Sequence, residues 1–117
     1  MKIKILCFDL DNVICTTKGR QYKKSKPKKK IIKLINNLYR NGYEIKIFTA
    51  RYMGKFKGDE KKARRHGYKK TFKQLKKWKL NFNQLILGKP NYDLFVDDKA
   101  LGFKENWTPS FLRKIRK

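Results

Sequence analysis

Apolar residues fall along the chain in two alternating patterns, short continuous runs and stripes at helical spacing. The runs predict four strands, at residues 2–8, 44–48, 84–87 and 92–96. The stripes predict three helices: the first is opened by Pro27 and ended near Gly42, the second covers about 70–79, and the third begins at Thr108-Pro109. Strands that alternate with helices are typical of an α/β protein with a parallel sheet.

The segments between these elements are polar. Residues 12–26 predict a loop or small flap, and residues 50–68 predict a basic loop with room for a short helix. No Gly/Ser-rich or Pro-rich stretch divides the chain, and its 117 residues suffice for a single core. We therefore expect residues 1–117 to form one domain.

The chain is strongly basic, with 33 Lys and Arg against nine Asp and Glu and a net charge of +24. Such a charge is typical of proteins that bind nucleic acid or another polyanion. A lysine-rich solvated surface gives the same total, so both interpretations stay open. No apolar run approaches the ~20 residues of a membrane span, and we expect a soluble, cytoplasmic protein without membrane contact. Cys7 and Cys15 are expected to be reduced packing residues.

The scarce acidic residues are concentrated at the ends of predicted strands. Four of the nine form two pairs, Asp9/Asp11 and Asp97/Asp98, and each pair directly follows an apolar run. Thr49 and Lys89 also follow predicted strands, and ligands of parallel α/β sheets bind beyond these ends. Converging carboxylates require a cation, and hard oxygen ligands favour Mg²⁺. Together with a lysine and a threonine hydroxyl, this set suits phosphoryl transfer, with one carboxylate as nucleophile and the second as general acid/base.

The order of these motifs resembles the haloacid dehalogenase (HAD) superfamily of phosphohydrolases. The matching segments are Asp9-Leu10-Asp11-Asn12-Val13 (the DxDx[TV] signature), Thr49 after the second strand, Lys89 before Pro90, and Asp97-Asp98. They span residues 3 to about 100 in the order expected of the family. The resemblance implies a Rossmann-like three-layer sandwich around a central, mainly parallel sheet, and a Mg²⁺-dependent enzyme that forms a phospho-aspartate.

Carried over residue by residue, the resemblance assigns a role to each matching position. Asp9 would be the nucleophile and Asp11 the general acid/base, with its main-chain carbonyl on Mg²⁺. Thr49 would bind the transferring phosphoryl group, and Lys89 would balance the charge. The implied metal ligands are Asp9, Asp11, Asp97 and Asp98, and the sequence does not say which of the last two binds directly. Val13 stands where threonine is commoner, a departure that the family tolerates.

The spacing of the motifs leaves no room for a cap domain. Thirty-seven residues separate Asp11 from Thr49, and 39 separate Thr49 from Lys89. Predicted core helices use most of both intervals, so the chain resembles a capless member. An open site implies a bulky substrate or a neighbouring subunit that covers it, as in a homo-oligomer. Candidate substrate contacts are Ala50, Arg51 and Lys55, although a solvated basic loop explains these residues equally well.

The first functional hypothesis is therefore a Mg²⁺-dependent phosphomonoesterase. Its substrate would be a sugar phosphate, a nucleotide phosphate or a larger phosphorylated molecule. The alternatives are a phosphatase of nucleic-acid ends and a basic nucleic-acid-binding protein on a HAD scaffold. A receiver-like signalling module is disfavoured, because Asp97-Asp98 follow Lys89 and a receiver has no such late pair.

Overall fold

Strands and helices alternate along the structure, a computed structural model that describes residues 3–116. The elements are β1 (Ile5–Phe8), β2 (Cys15–Thr16), β3 (Lys26–Pro27), α1 (Lys29–Arg40), β4 (Glu44–Thr49), α2 (Glu60–Lys77), β5 (Gln84–Leu87) and α3 (Thr108–Ile115), with a 3₁₀ turn at Tyr22–Lys24. Strands β1, β4 and β5 form a parallel sheet in the order β1-β4-β5. The α/β prediction and three of its strands are confirmed.

The sheet buries one of its two faces. Side chains alternate along a strand, so residues that pair in register share a face. Leu6 pairs with Ile45, and Ile47 lies between Phe8 and Leu85. All five are buried, whereas Ile5 on the opposite face is 56% exposed. The helices complete one core on the buried side, contributing Ile32, Ile35 and Leu38 from α1, Leu75 from α2, and Phe111 and Ile115 from α3.

Helix α2 begins ten residues earlier than the apolar stripe indicates. Its first residue is Glu60, and the Asp59 side chain accepts a hydrogen bond from the Lys62 amide. This N-cap satisfies one of the free amides of the first turn. The prediction of a loop over 50–68 is therefore wrong from residue 60 onwards. The apolar stripe does not extend into the first turns of α2, because only Ala63 and Gly67 are buried there.

Pro27 lies in a small hairpin and does not open α1. Strands β2 and β3 pair antiparallel, with Cys15 opposite Pro27, and α1 follows from an N-cap at Lys28. Apart from Pro27, the hairpin and the 3₁₀ turn lie within residues 12–26, which we call the flap. The flap folds over the end of the sheet where Asp9 and Asp11 lie.

Residues 88–107 form no helix or strand, so the predicted fourth strand at 92–96 is wrong. Leu94 is 82% exposed and Val96 is 89% exposed. Asp93 interrupts this short apolar run and Pro90 precedes it, and both residues favour turns over strands. With three strands and one buried face, the third layer of the predicted sandwich is not confirmed. In the part of the chain that the structure describes, no helix is long and apolar enough to cross a membrane.

Candidate active site

The nucleophile candidate Asp9 meets Lys89 beyond the ends of two strands. Asp9 follows β1 and Lys89 follows β5, and the Lys89 Nζ lies 3.5 Å from an Asp9 carboxylate oxygen. The Lys89 amide donates to the Thr49 carbonyl at 3.2 Å, which fixes the end of β5 against β4. The Asp9 side chain is 39% exposed, so a ligand can reach it.

Asp9 carries negative charge that its surroundings do not fully balance. Partial burial raises the pKa of Asp9, and this effect exceeds the opposing effects of the Lys89 charge and of the Leu10 amide. The Leu10 amide donates to Asp9 Oδ1 at 2.8 Å. Burial lowers the pKa of Lys89, but the nearby Tyr92 side chain and the Asp9 charge outweigh that effect and raise the pKa overall. Lys89 therefore keeps its positive charge, and the neighbouring Asp9 carboxylate can still bind a further cation.

Asp11 is held by Arg51 in a buried ion pair. Arg51 Nη2 donates to Asp11 Oδ1 at 2.9 Å, and Arg51 Nε donates to Oδ2 at 3.0 Å. The Thr17 hydroxyl donates to Oδ1 at 2.6 Å. The side chain of Arg51 is 1% exposed and that of Asp11 is 21% exposed. The structure therefore places Arg51 inside the protein as a partner of Asp11, and not in the accessible basic loop that the sequence predicts.

The Arg51 guanidinium also fastens the flap to α2. Arg51 Nη1 donates to Gln74 Oε1 at 2.6 Å, and the Gln74 amide donates to the Tyr22 carbonyl at 2.7 Å. On the flap itself, the hydroxyls of Thr17 and Ser25 lie 2.6 Å apart. A buried guanidinium requires several acceptors at once. The network thus couples the position of Asp11 to the position of the flap.

Thr49 lies at the end of β4, where the sequence places it, and it is 1% exposed. Its hydroxyl accepts a hydrogen bond from the Arg51 amide at 3.2 Å and can still donate its own proton. Ala50 is half-buried beside it. Lys55 is exposed, with its Nζ 5.6 Å from the centre of the Phe56 ring. The structure thus brings Thr49 and Ala50 to the strand ends and leaves Lys55 on the surface.

Asp97 and Asp98 lie on the exposed segment after β5. Asp97 Oδ1 accepts a hydrogen bond from the Lys99 amide at 2.9 Å, as in an Asx turn. Within residues 3–116, no three His, Cys, Asp or Glu side chains lie close enough to hold a metal ion. The four implied ligands have the oxygen chemistry of a Mg²⁺ site, but they do not converge.

Sequence reasoning missed the residues that support Asp11. Arg51 directly follows the strand that ends in Thr49, a position that indicates proximity to the site but not burial. Thr17, Ser25 and Gln74 carry no pattern that distinguishes them from surface polar residues. Their roles depend on how the flap folds back onto α2, which periodicity does not report.

No family model matches the chain, and no curated protein matches it significantly. Among solved structures, the chain is similar to the crystal structure of an MCSG target from Vibrio cholerae. The TM-score is 0.77 and the identity is 24%, and the match covers 96% of this chain and 99% of that chain. At this identity the similarity shows the fold, an α/β arrangement along nearly the whole length of both chains.

Proposed function

We propose that the protein is a Mg²⁺-dependent phosphomonoesterase of the HAD type that acts through a phosphorylated Asp9. The observation that carries the proposal is the half-exposed Asp9 carboxylate beside Lys89, with Asp11 and Thr49 at the neighbouring strand ends. Membership of the superfamily and its three-layer sandwich are part of the proposal. It is supported by the four motifs in order and by the meeting of two of them, at Asp9 and Lys89.

The reaction takes place in two displacements. First, an Asp9 carboxylate oxygen attacks phosphorus, the bond from phosphorus to the leaving oxygen breaks, and that oxygen takes up a proton. Water then attacks the phosphorus of the aspartyl phosphate, loses a proton, and releases phosphate with Asp9 restored. The partial burial that raises the pKa of Asp9 favours binding of a counter-charge at this point. Lys89 and the Thr49 hydroxyl would hold the oxygens of the phosphoryl group.

Asp11 would exchange the proton in both displacements. In the structure its carboxylate accepts from Arg51 and Thr17, and an acceptor in a bidentate pair cannot at the same time donate a proton. Asp11 therefore has to turn away from Arg51 before it can protonate a leaving group. The side chain is 21% exposed, so part of it is open to solvent.

Magnesium, when bound, supplies positive charge that offsets the charge of the phosphoryl group and of Asp9. Asp9 and the main-chain carbonyl of Asp11 would be its ligands, with Asp97 or Asp98. Because the late pair does not converge with Asp9 here, we derive no step through the metal.

Hydrolysis of p-nitrophenyl phosphate with and without Mg²⁺ tests the proposal. We expect Mg²⁺-dependent turnover in the wild type and a loss of about a thousandfold or more in Asp9→Asn, because nothing else replaces the nucleophile. Asp93→Asn is the matched control, since it removes one exposed carboxylate from the same chain. Equal turnover in the wild type and Asp9→Asn would reject Asp9 as the nucleophile.

A further inference from the structure

An open pocket of about 320 Å³ lies between the flap and α2. Arg20, Tyr22 and Lys23 line it from the flap, Tyr52 from the loop after β4, and His66 and Lys70 from α2. We call the space that these residues line the flap pocket. A larger pocket of about 440 Å³ lies between α1 and the end of α2, but it contains none of the candidate catalytic residues.

Three half-buried rings form one wall of the flap pocket. The ring centres of Tyr22 and Tyr52 are 4.9 Å apart, and those of Tyr52 and His66 are also 4.9 Å apart. Desolvation lowers the pKa of His66, and the positive charges of Lys55 and Lys70 lower it further, which favours the uncharged form of the imidazole. Partly exposed aromatic rings are groups on which a flat aromatic ligand can stack.

Apart from Gln21, the rest of the lining is cationic. Arg20, Lys23 and Lys70 are exposed around the rings, and the part of the pocket that the structure describes has no acidic side chain. Clustered cations with no counter-charge attract an anion, and arginine and lysine are side chains that proteins use to bind phosphate. The pocket thus combines an aromatic surface with a phosphate-binding rim.

Two glycines make room for the pocket walls. A Cβ atom at Gly67 of α2 would overlap the Tyr52 ring, and one at Gly54 would overlap the Arg20 guanidinium. Tyr52 itself has a φ of +69°, a left-handed conformation that is uncommon for an aromatic residue. The backbone is therefore shaped so that the Tyr52 ring lies against α2.

The flap pocket is linked to Asp11 through the side chain of Arg51. The guanidinium carbon of Arg51 lies 4.9 Å from the centre of the Tyr22 ring, and Arg51 holds Asp11. The Tyr22 carbonyl accepts from Gln74, which is also an acceptor for Arg51. A ligand on the Tyr22 ring would be separated from the general acid/base candidate by two side chains, Tyr22 and Arg51.

We propose that the flap pocket binds a nucleotide unit, with its base on the rings and its phosphate on Arg20 and Lys70. The flap pocket contains none of Asp9, Thr49 and Lys89, so the phosphate bound there is not the group transferred to Asp9, and this binding does not depend on the proposed function. The unit has two sources, a free nucleotide and the end of a single-stranded nucleic acid, and the net charge of +24 suits both.

Calorimetric binding to Asp9→Asn without Mg²⁺ separates recognition from turnover. The probes are adenosine 5′-monophosphate, ribose 5-phosphate and a 5′-phosphorylated oligodeoxyadenylate. We expect the ribose phosphate to bind at least about fivefold more weakly than the nucleotide, because it lacks the base that stacks. Tighter binding of the oligonucleotide would identify nucleic acid as the source, and equal binding would identify the free nucleotide.

Matched variants localise the binding. Arg20→Ala with Lys70→Ala should weaken nucleotide binding by about tenfold or more. Lys33→Ala with Lys77→Ala removes the same charge from the larger pocket and should change it by less than about twofold. Tyr52→Leu should abolish the preference for the nucleotide over ribose phosphate, and Tyr52→Phe should retain it. Equal losses in the two double variants, or no preference for the base, would overturn the proposal. Nucleotide binding without aryl-phosphate hydrolysis would reject only the catalytic proposal.

Discussion

Both acidic pairs of the chain follow short apolar runs in the sequence, but their surroundings in the structure differ. Asp9 and Asp11 lie at the end of a paired strand, with Lys89 at 3.5 Å from one and Arg51 at 2.9 Å from the other. Asp97 and Asp98 lie on an exposed segment, where Asp97 accepts only a local amide in an Asx turn among its described contacts. The first pair is positioned by cations and backbone, and the second is solvated. A carboxylate pair is thus placed by the partners that offset its burial and not by the apolar run before it.

The largest effect expected from this contrast is the loss of protein stability when Arg51 is replaced. Arg51→Met removes the cation and leaves Asp11, Gln74 and Ser25 without their common donor. We expect the free energy of unfolding to fall by about 3 kcal/mol or more, the usual cost of breaking a buried pair on one side. Urea unfolding measures it, and Lys55→Met, an exposed site on the same loop, should change it by less than about 0.5 kcal/mol. A similar small change in both variants would show that the Arg51 network does not stabilise the fold.

A smaller effect is expected at the second pair, and only when metal is present. Asp97→Asn with Asp98→Asn should change the free energy of unfolding by less than about 0.5 kcal/mol without Mg²⁺, because both side chains are exposed. If the pair joins the metal site during function, the same variant should lose about tenfold or more in Mg²⁺ affinity. Isothermal titration with MgCl₂ measures this, with Asp93→Asn as control. An unchanged affinity would remove Asp97 and Asp98 from the metal site.

The pH dependence of stability tests whether the surroundings of Asp9 leave its negative charge incompletely balanced. Its pKa in the folded protein is raised above that of the unfolded chain, so ionised Asp9 destabilises the fold. Asp9→Asn should therefore be more stable than the wild type at neutral pH. The difference should vanish as the pH falls through the folded-state pKa to below the unfolded value, because Asp9 is then neutral in both states. Thermal unfolding between pH 3 and 7 measures it, and a wild type that is the more stable protein at pH 7 would contradict the account.

The smallest expected effect is a difference in thiol reactivity between Cys7 and Cys15. Cys7 is exposed on the uncovered face of the sheet and Cys15 is buried under the flap. We expect one thiol per folded chain to react with a disulfide reagent, slowly at pH 7 because burial raises the pKa of Cys7, and two thiols after denaturation. Cys7→Ser should abolish the folded-state reaction and Cys15→Ser should not. A folded chain with no reactive thiol would show that this face is covered, for example by a second copy of the chain.

The sequence allowed much of the sheet to be predicted, but little of what surrounds the site. The runs ending at Phe8, Phe48 and Leu87 are apolar enough to identify strands, and parallel topology brings Asp9 and Lys89 to one edge. The run at 92–96 is also largely apolar, but Asp93 and Pro90 favour a turn, and it finds no partner strand, since pairing is a tertiary property that a local pattern does not encode. The start of α2 was missed because a lysine-rich turn is held by the Asp59 cap and not by a stripe. The burial of Arg51 is not predictable from the sequence, which offers it as a substrate contact or a solvated loop residue, because burial of a charge depends on acceptors distant in sequence.

The central claim is that Asp9 receives the phosphoryl group, and trapping the covalent intermediate tests it most directly. The protein is mixed with acetyl phosphate and Mg²⁺, quenched in acid, and digested for mass spectrometry after borohydride reduction. Reduction converts an aspartyl phosphate to homoserine, so the account predicts homoserine at position 9 in the wild type and none in Asp9→Asn. Homoserine at another aspartate, or a phosphorylated Asp9→Asn chain, would contradict it.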